Sequence, residues 1–177
     1  MQNRIVLEKK LRALSAIRFV TKISNSNEKS SYTLYNGSKF SESVKETMVA
    51  AFGEADIYIT NALALKLGLR TEHSSILDKW NVATRLSLAY QLAKNSSAGF
   101  AYGIFYQNPE RKYLPSGTVL DYSKATHYIL QYQLLTGQQT FRTEMLYKKY
   151  DALYKTGYTT KGRELASQPK GSGYEKG

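Results

Sequence analysis

Leu63-Ala64-Leu65-Lys66-Leu67-Gly68-Leu69-Arg70-Thr71-Glu72 alternates leucine with small or charged residues almost without error. Successive side chains of an extended chain point to opposite sides. A period of two therefore gathers Leu63, Leu65, Leu67 and Leu69 on one face and Lys66, Arg70 and Glu72 on the other. The stretch is a β-strand with one greasy face. Just before it, Val49, Ala51, Gly53, Ala55, Ile57 and Ile59 alternate against Glu54, Asp56 and Tyr58. Just after it, Leu86, Leu88, Tyr90 and Leu92 alternate against Arg85, Ser87, Ala89 and Gln91. Three consecutive strands thus share one pattern, and the rest of the chain is read outward from them.

Residues 4–24 predict a hairpin turning near Arg12–Ser15, because Ile17, Phe19, Val20 and Ile23 favour a strand. Residues 25–46 are polar and irregular and predict a long loop. Thr60-Asn61-Ala62 is a short connection, and residues 73–81 are a polar link carrying the single tryptophan, Trp80. A short turn at Ala93-Lys94-Asn95-Ser96 leads into Gly99–Tyr106, which alternates until Pro109, a residue unable to donate to a ladder. Residues 110–124 predict a second long loop. Tyr128, Leu130, Tyr132 and Leu134 then share a face, Thr136-Gly137-Gln138-Gln139 turns the chain, and Phe141, Thr143, Met145 and Tyr147 oppose Arg142, Glu144 and Lys148. From Tyr158 the composition shifts to Gly, Lys and Ser. The expected division is a β-barrel segment over 1–157 and a flexible tail or outer loop over 158–177.

Eight segments of about nine to eleven residues, joined alternately by short turns and long loops, have the length and asymmetry of transmembrane barrel strands. The expected fold is all-β: an antiparallel up-and-down barrel, or partial barrel, of about eight strands, lying in lipid. The alternative is a soluble β-barrel enclosing a small apolar ligand, since alternation alone does not say which face is inside. Fifteen Tyr against six Phe favour the membrane, where tyrosine belts the interface. No apolar run approaches the 18 or so residues of a spanning helix. The net charge is +11, but no run of basic residues exceeds two, so no nucleic-acid partner is expected. Cysteine is absent, which excludes disulfides and thiolate metal sites.

Glu54 and Asp56 stand two apart on one strand face, the pattern of paired carboxylates in glycoside hydrolysis, although the wall of a polar lumen needs the same residues. His73 and His127 have no neighbouring ligand pattern, and neither a phosphate loop nor a nucleophile elbow occurs. The expectation is a protein that is not an enzyme, with no cofactor and no metal. The candidate binding residues are the charged ones predicted to face the lumen: Glu54, Asp56, Arg70, Glu72, Arg85, Arg142 and Glu144.

Several strings resemble the barrel of TonB-dependent outer-membrane receptors. They are Phe52-Gly53-Glu54-Ala55-Asp56-Ile57-Tyr58-Ile59-Thr60, Leu67-Gly68-Leu69-Arg70-Thr71-Glu72, Arg85-Leu86-Ser87-Leu88-Ala89-Tyr90 and Ala101-Tyr102-Gly103-Ile104-Phe105-Tyr106-Gln107-Asn108-Pro109. Ala125-Thr126-His127-Tyr128 and Tyr147-Lys148-Lys149-Tyr150-Asp151 extend the likeness over roughly residues 3–157. The resemblance implies part of a plugged barrel of about 22 strands in the cell outer membrane, a receptor that imports a bound nutrient. Its implied partners are outer-membrane lipid, the remainder of a larger barrel and its plug, and an energy-coupling protein. The 177 residues contain no plug, no energy-coupling box and no signal peptide, and Thr84 stands where the family pattern has proline. The expectation is a fragment or a shortened barrel whose ordered state is closed, or paired edge to edge with another copy.

Overall fold

The computed structural model describes residues 2–11, 15–33, 39–109, 121–158 and 165–177. Nine strands follow one another in a single antiparallel sheet, in chain order from edge to edge. They are β1 (Gln2–Lys10), β2 (Ala16–Thr33), β3 (Lys39–Tyr58), β4 (Leu63–Ser74), β5 (Lys79–Ala93), β6 (Ser96–Gln107), β7 (Ser123–Thr136), β8 (Gln139–Tyr158) and β9 (Leu165–Lys176). The sheet is a meander with open edges at β1 and β9, a partial barrel.

The short turns stand where the sequence places them. Leu11 N donates to Ser15 O at 2.7 Å and closes the first hairpin. Ile59–Ala62 joins β3 to β4, Lys94–Asn95 joins β5 to β6, and Gly137 takes φ +60° between β7 and β8. That left-handed backbone suits a residue without a Cβ.

Three expectations are corrected. Residues 25–46 are not a loop: β2 and β3 stay in register from Ala16↔Asp56 to Thr33↔Lys39, with residues 34–38 outside the described part. Lys39–Glu46 have their ladder with β2 alone, because β4 joins only from Met48↔Ser74, with Ser75 N donating to Thr47 O just beyond. At about 3.3 Å per residue, this two-stranded arm extends roughly 30 Å past its neighbour. Second, the link at 73–81 shrinks to Ser75–Asp78, closed by Asp78 N donating to Ser74 O at 2.9 Å, and Trp80 lies on β5. Third, Leu165–Lys176 is a ninth strand inside the segment expected to be a tail or outer loop. It pairs with β8 past a register shift around Ala152 (φ +57°). Close approach there needs Gly171, since a Cβ on it would lie 2.7 Å from Leu153 O. Of the loop expected at 110–124, residues 110–120 lie outside the described part.

Register, not only alternation, fixes the two faces, because directly paired residues of adjacent strands point the same way. One row crosses the whole sheet as Lys9, Ile17, Ala55, Leu67, Leu86, Tyr102, Tyr128, Tyr147 and Lys176. Its aromatic run is continuous, with Tyr102–Tyr128 centroids 5.2 Å apart and Tyr128–Tyr147 6.0 Å. A row nine strands wide measures ~38 Å, and strands tilted by 35–45° carry it ~25 Å along the barrel axis. The row has lysine at each end, leucine in the middle and tyrosine towards one end. The same face exposes Ile5, Leu7, Leu69, Trp80, Val82, Leu130, Phe141 and Met145, several by more than half. Among the described residues, the buried apolar side chains amount to Val20, Ala50, Leu77, Ala83 and Tyr122, so no second layer covers either face.

Candidate functional site

The opposite face carries the charge. Its central row reads Glu8, Arg18, Glu54, Gly68, Arg85, Gly103, His127, Lys148 and Glu175 across all nine strands. Adjacent rows add Asp56 opposite Lys66, Glu72 opposite Asn81, Arg70 opposite Ala83, and Gln131 opposite Glu144. All seven sequence-derived candidates, Glu54, Asp56, Arg70, Glu72, Arg85, Arg142 and Glu144, therefore lie on one face. They do not converge on one point. Arg142 and Glu144 belong to β8, four strands from Arg70 and Glu72 on β4.

Most of these charges are paired. Arg18 donates to Glu8 at 3.0 Å and approaches Glu54 at 3.8 Å, bridging three strands. Lys66 meets Asp56 at 3.1 Å, Arg70 meets Glu72, and Arg142 meets Glu144 at 3.0 Å while also donating to Gln131 at 3.1 Å. Lys148 reaches Glu175 at 3.1 Å, and the Tyr150 hydroxyl donates to the same carboxylate at 3.1 Å. Apart from the part-buried Arg70–Glu72 pair, exposed pairs of this kind contribute ~0.2–1 kcal/mol each, so their weight is in fixing register rather than in holding the sheet together. Glu54 and Asp56 are each engaged by a cation, Arg18 and Lys66 respectively.

A second polar group, which the sequence reading missed, lies towards the long-loop end. The Ser74 hydroxyl, fully buried, donates to Glu46 Oε1 at 2.9 Å, and the Asn108 amide donates to the same oxygen and to Ser74 Oγ at 3.3 Å. Beside it, Asn81 is 5% exposed, with neither side-chain polar atom hydrogen-bonded. The Tyr122 hydroxyl donates to Lys79 O at 3.0 Å, and burial pushes its pKa up. Asp121, its neighbour, pairs with Lys79 at 3.1 Å. These residues come from β3, β4, β5 and the β6–β7 connection, so no local spacing announces them. Between β5 and β6 the ladder begins only at Arg85↔Gly103. Lys79–Thr84 pair with β4 and Ile104–Gln107 with β7, which leaves the two strands parted at this end. An open cleft of about 580 Å³ lies there, walled by Glu46, Arg70, Glu72, Arg85, Phe105 and Asn108. Among the described residues no group of three or more His, Cys, Asp or Glu side chains is placed to hold a metal ion.

No family model matches the sequence, and no curated protein is similar enough to match it. Solved structures do match. The ferric enterobactin receptor PfeA of Pseudomonas aeruginosa superposes with a TM-score of 0.81 at 13% identity, over 99% of this chain and 32% of that one. The siderophore receptor PirA of Acinetobacter baumannii gives 0.80 at 11% identity, over 99% and 32%, and PirA of P. aeruginosa gives 0.74 at 13%, over 99% and 35%. The chain spans about a third of the length of these receptors. In fold, the chain is similar to a nine-stranded stretch of these receptors' β-barrels, the architecture expected from the strand motifs that resemble TonB-dependent receptors.

Proposed function

We propose that this chain is a non-catalytic wall segment of an outer-membrane receptor barrel, with its apolar face against lipid and its charged face lining the lumen through which a ligand is taken up. One observation carries the reading. A single-layered sheet shows water-hostile residues on one face and cross-strand ion pairs on the other, and among the described residues nothing covers either. In water that arrangement would leave an apolar surface far beyond what soluble monomers expose. In a bilayer it is the ordinary state of a barrel strand.

Ferric enterobactin and other siderophores belong to the matched receptors, and a ferric siderophore is the ligand class we assign to the assembled barrel. The partners that follow are outer-membrane lipid, further barrel strands, a plug, and an energy-coupling protein. The candidate contacts for ligand or plug are the charged residues already placed on the lumen side. Spin labels on the chain folded in lipid test the orientation. Labels replacing Leu65, Leu67 and Leu88 are expected to collide with oxygen dissolved in lipid, and labels replacing Arg70 and Arg85 with a water-soluble nickel chelate. The reverse pattern turns the barrel inside out and restores the soluble reading, with an apolar ligand inside.

A further inference from the structure

Arg85 is the exception in the charged face. It occupies the middle of the central row with glycine on either side, Gly68 on β4 and Gly103 on β6. Among the described residues, no carboxylate lies within ion-pair distance of it, whereas Arg18, Lys66, Arg70, Arg142 and Lys148 are all paired. Glu54 is the carboxylate across Gly68, and it is engaged by Arg18. An arginine cannot shed its proton, so its charge has to be met by water or by an anion. The guanidinium lies over the Phe105 ring, 4.9 Å from its centroid. Stacking occupies one face of the guanidinium and leaves its N–H edge to donate.

The glycines keep space open around this group. A Cβ on Gly68 would sit 3.4 Å from Arg85 Cβ, and one on Gly103 would sit 2.9 Å from the Phe105 ring. Arg85 borders a hollow of about 120 Å³ over Gly68, another of about 360 Å³ over Gly103, and the 580 Å³ cleft at the long-loop end. Arg70 lines the first and last of these, and its buried Nε has no hydrogen-bond partner. A charged fork beside an aromatic ring, with clearings on both sides and an open approach from one end, is a receptor for a planar anion.

We propose that Arg85 is an anion-binding residue of this wall and takes the carboxylate of a small aromatic acid, held by two parallel N–H···O bonds with its ring beside Phe105. This rests on the charged face being the lumen side. Glu54 is then the internal competitor, because a swing across Gly68 would neutralise Arg85 and displace the ligand.

The probe is 4-fluorobenzoate, followed by fluorine-19 NMR against the chain folded in zwitterionic micelles. A saturable shift is expected. Arg85→Gln weakens it tenfold or more, and Gly68→Leu, which keeps the guanidinium but fills its clearing, does the same. Glu54→Gln tightens binding severalfold by removing the competitor. Lys10→Gln removes the same unit of charge from a distant strand and leaves affinity unchanged. Equal binding by wild type and Arg85→Gln, or a shift that rises without saturation as for partition into the micelle, overturns the proposal. The two readings fail separately. A chain that stays out of micelles defeats the membrane wall. A chain that folds there, with protected β4–β6 amides but no saturable binding, defeats only the anion site.

Discussion

Leu67→Arg puts the membrane reading at its greatest risk. Leu67 lies at the centre of the outward row, between Ala55 and Leu86, with lysine at both ends of that row. It is 40% exposed in the isolated sheet. If this face meets hydrocarbon, arginine near the midplane costs about 2–4 kcal/mol. If it meets water, a charged residue on a half-exposed strand site changes stability by no more than ~0.5 kcal/mol. The two environments are therefore separated by several times the error of an unfolding experiment. Ser87→Arg supplies the matched control, since Ser87 lies on the charged face opposite Lys66 and Ala101. It should cost little if the charged face is the wet one, and as much as a lipid-facing arginine if the faces are reversed. Reversible denaturant unfolding in lipid vesicles, followed by the fluorescence of Trp80, gives both values. A Leu67→Arg penalty no larger than that of Ser87→Arg would refute the assignment of faces.

Three further outcomes are expected. Glu46→Ala removes the acceptor shared by the buried Ser74 hydroxyl and the Asn108 amide, so it should cost ~1–3 kcal/mol and speed amide exchange at the β4–β5 turn. Gly171→Val places a Cβ against Leu153 O and should release β9 selectively, seen as lost protection over residues 171–176 while β4–β6 stay protected. Lys66→Gln leaves Asp56 facing open lumen and should change stability by less than ~1 kcal/mol, because the pair is exposed. A large loss there would mean that the charged face is drier than an open lumen allows.

The faces were legible in the sequence because a sheet with one apolar and one charged face shows strict alternation along each strand. From Val49 to Leu92 most strand positions follow it, the exceptions being Phe52 on the charged face and Thr71, His73 and Thr84 on the apolar one. Where the strands leave that constraint, the pattern fades. The arm formed by residues 24–33 and 39–47 is rich in Ser, Asn, Lys and Glu, which have little strand preference. It is extended because each of its strands finds the other in register. The ninth strand contains Pro169, Gly171 and Gly173 and is held by β8 across a bulge that no composition rule signals. Trp80, read as part of a link, turned out to pair with His73, their rings 5.0 Å apart, above a turn of four residues. For the candidate site, alternation put seven charged residues on one face, and the register keeps them there. Alternation does not say which are already paired. That depends on the neighbouring strand's register, which joins Glu54 to Arg18 and leaves Arg85 between two glycines.

The open edges carry one more consequence. In a meander, strands of odd number run the same way, so β1 and β9 are parallel to each other. Direct closure of these nine strands would make a parallel seam, whereas bacterial outer-membrane barrels close antiparallel with an even number of strands. The eight strands expected from sequence would have met antiparallel; the ninth removes that solution. A second copy inserted the same way offers β9 to β1, again parallel, and β1 to β1 pairs antiparallel only if one copy is inverted. Antiparallel closure in lipid therefore takes an odd number of strands beyond these nine, set between β9 and β1. For the chain alone in detergent, the β1 amides that point away from β2 and the β9 amides that point away from β8 should exchange at unprotected rates, while β4–β6 exchange slowly. Slow exchange at both edges of a monomer, with a cross-link joining β1 to β9, would show that nine strands close on themselves and would end the argument for added strands.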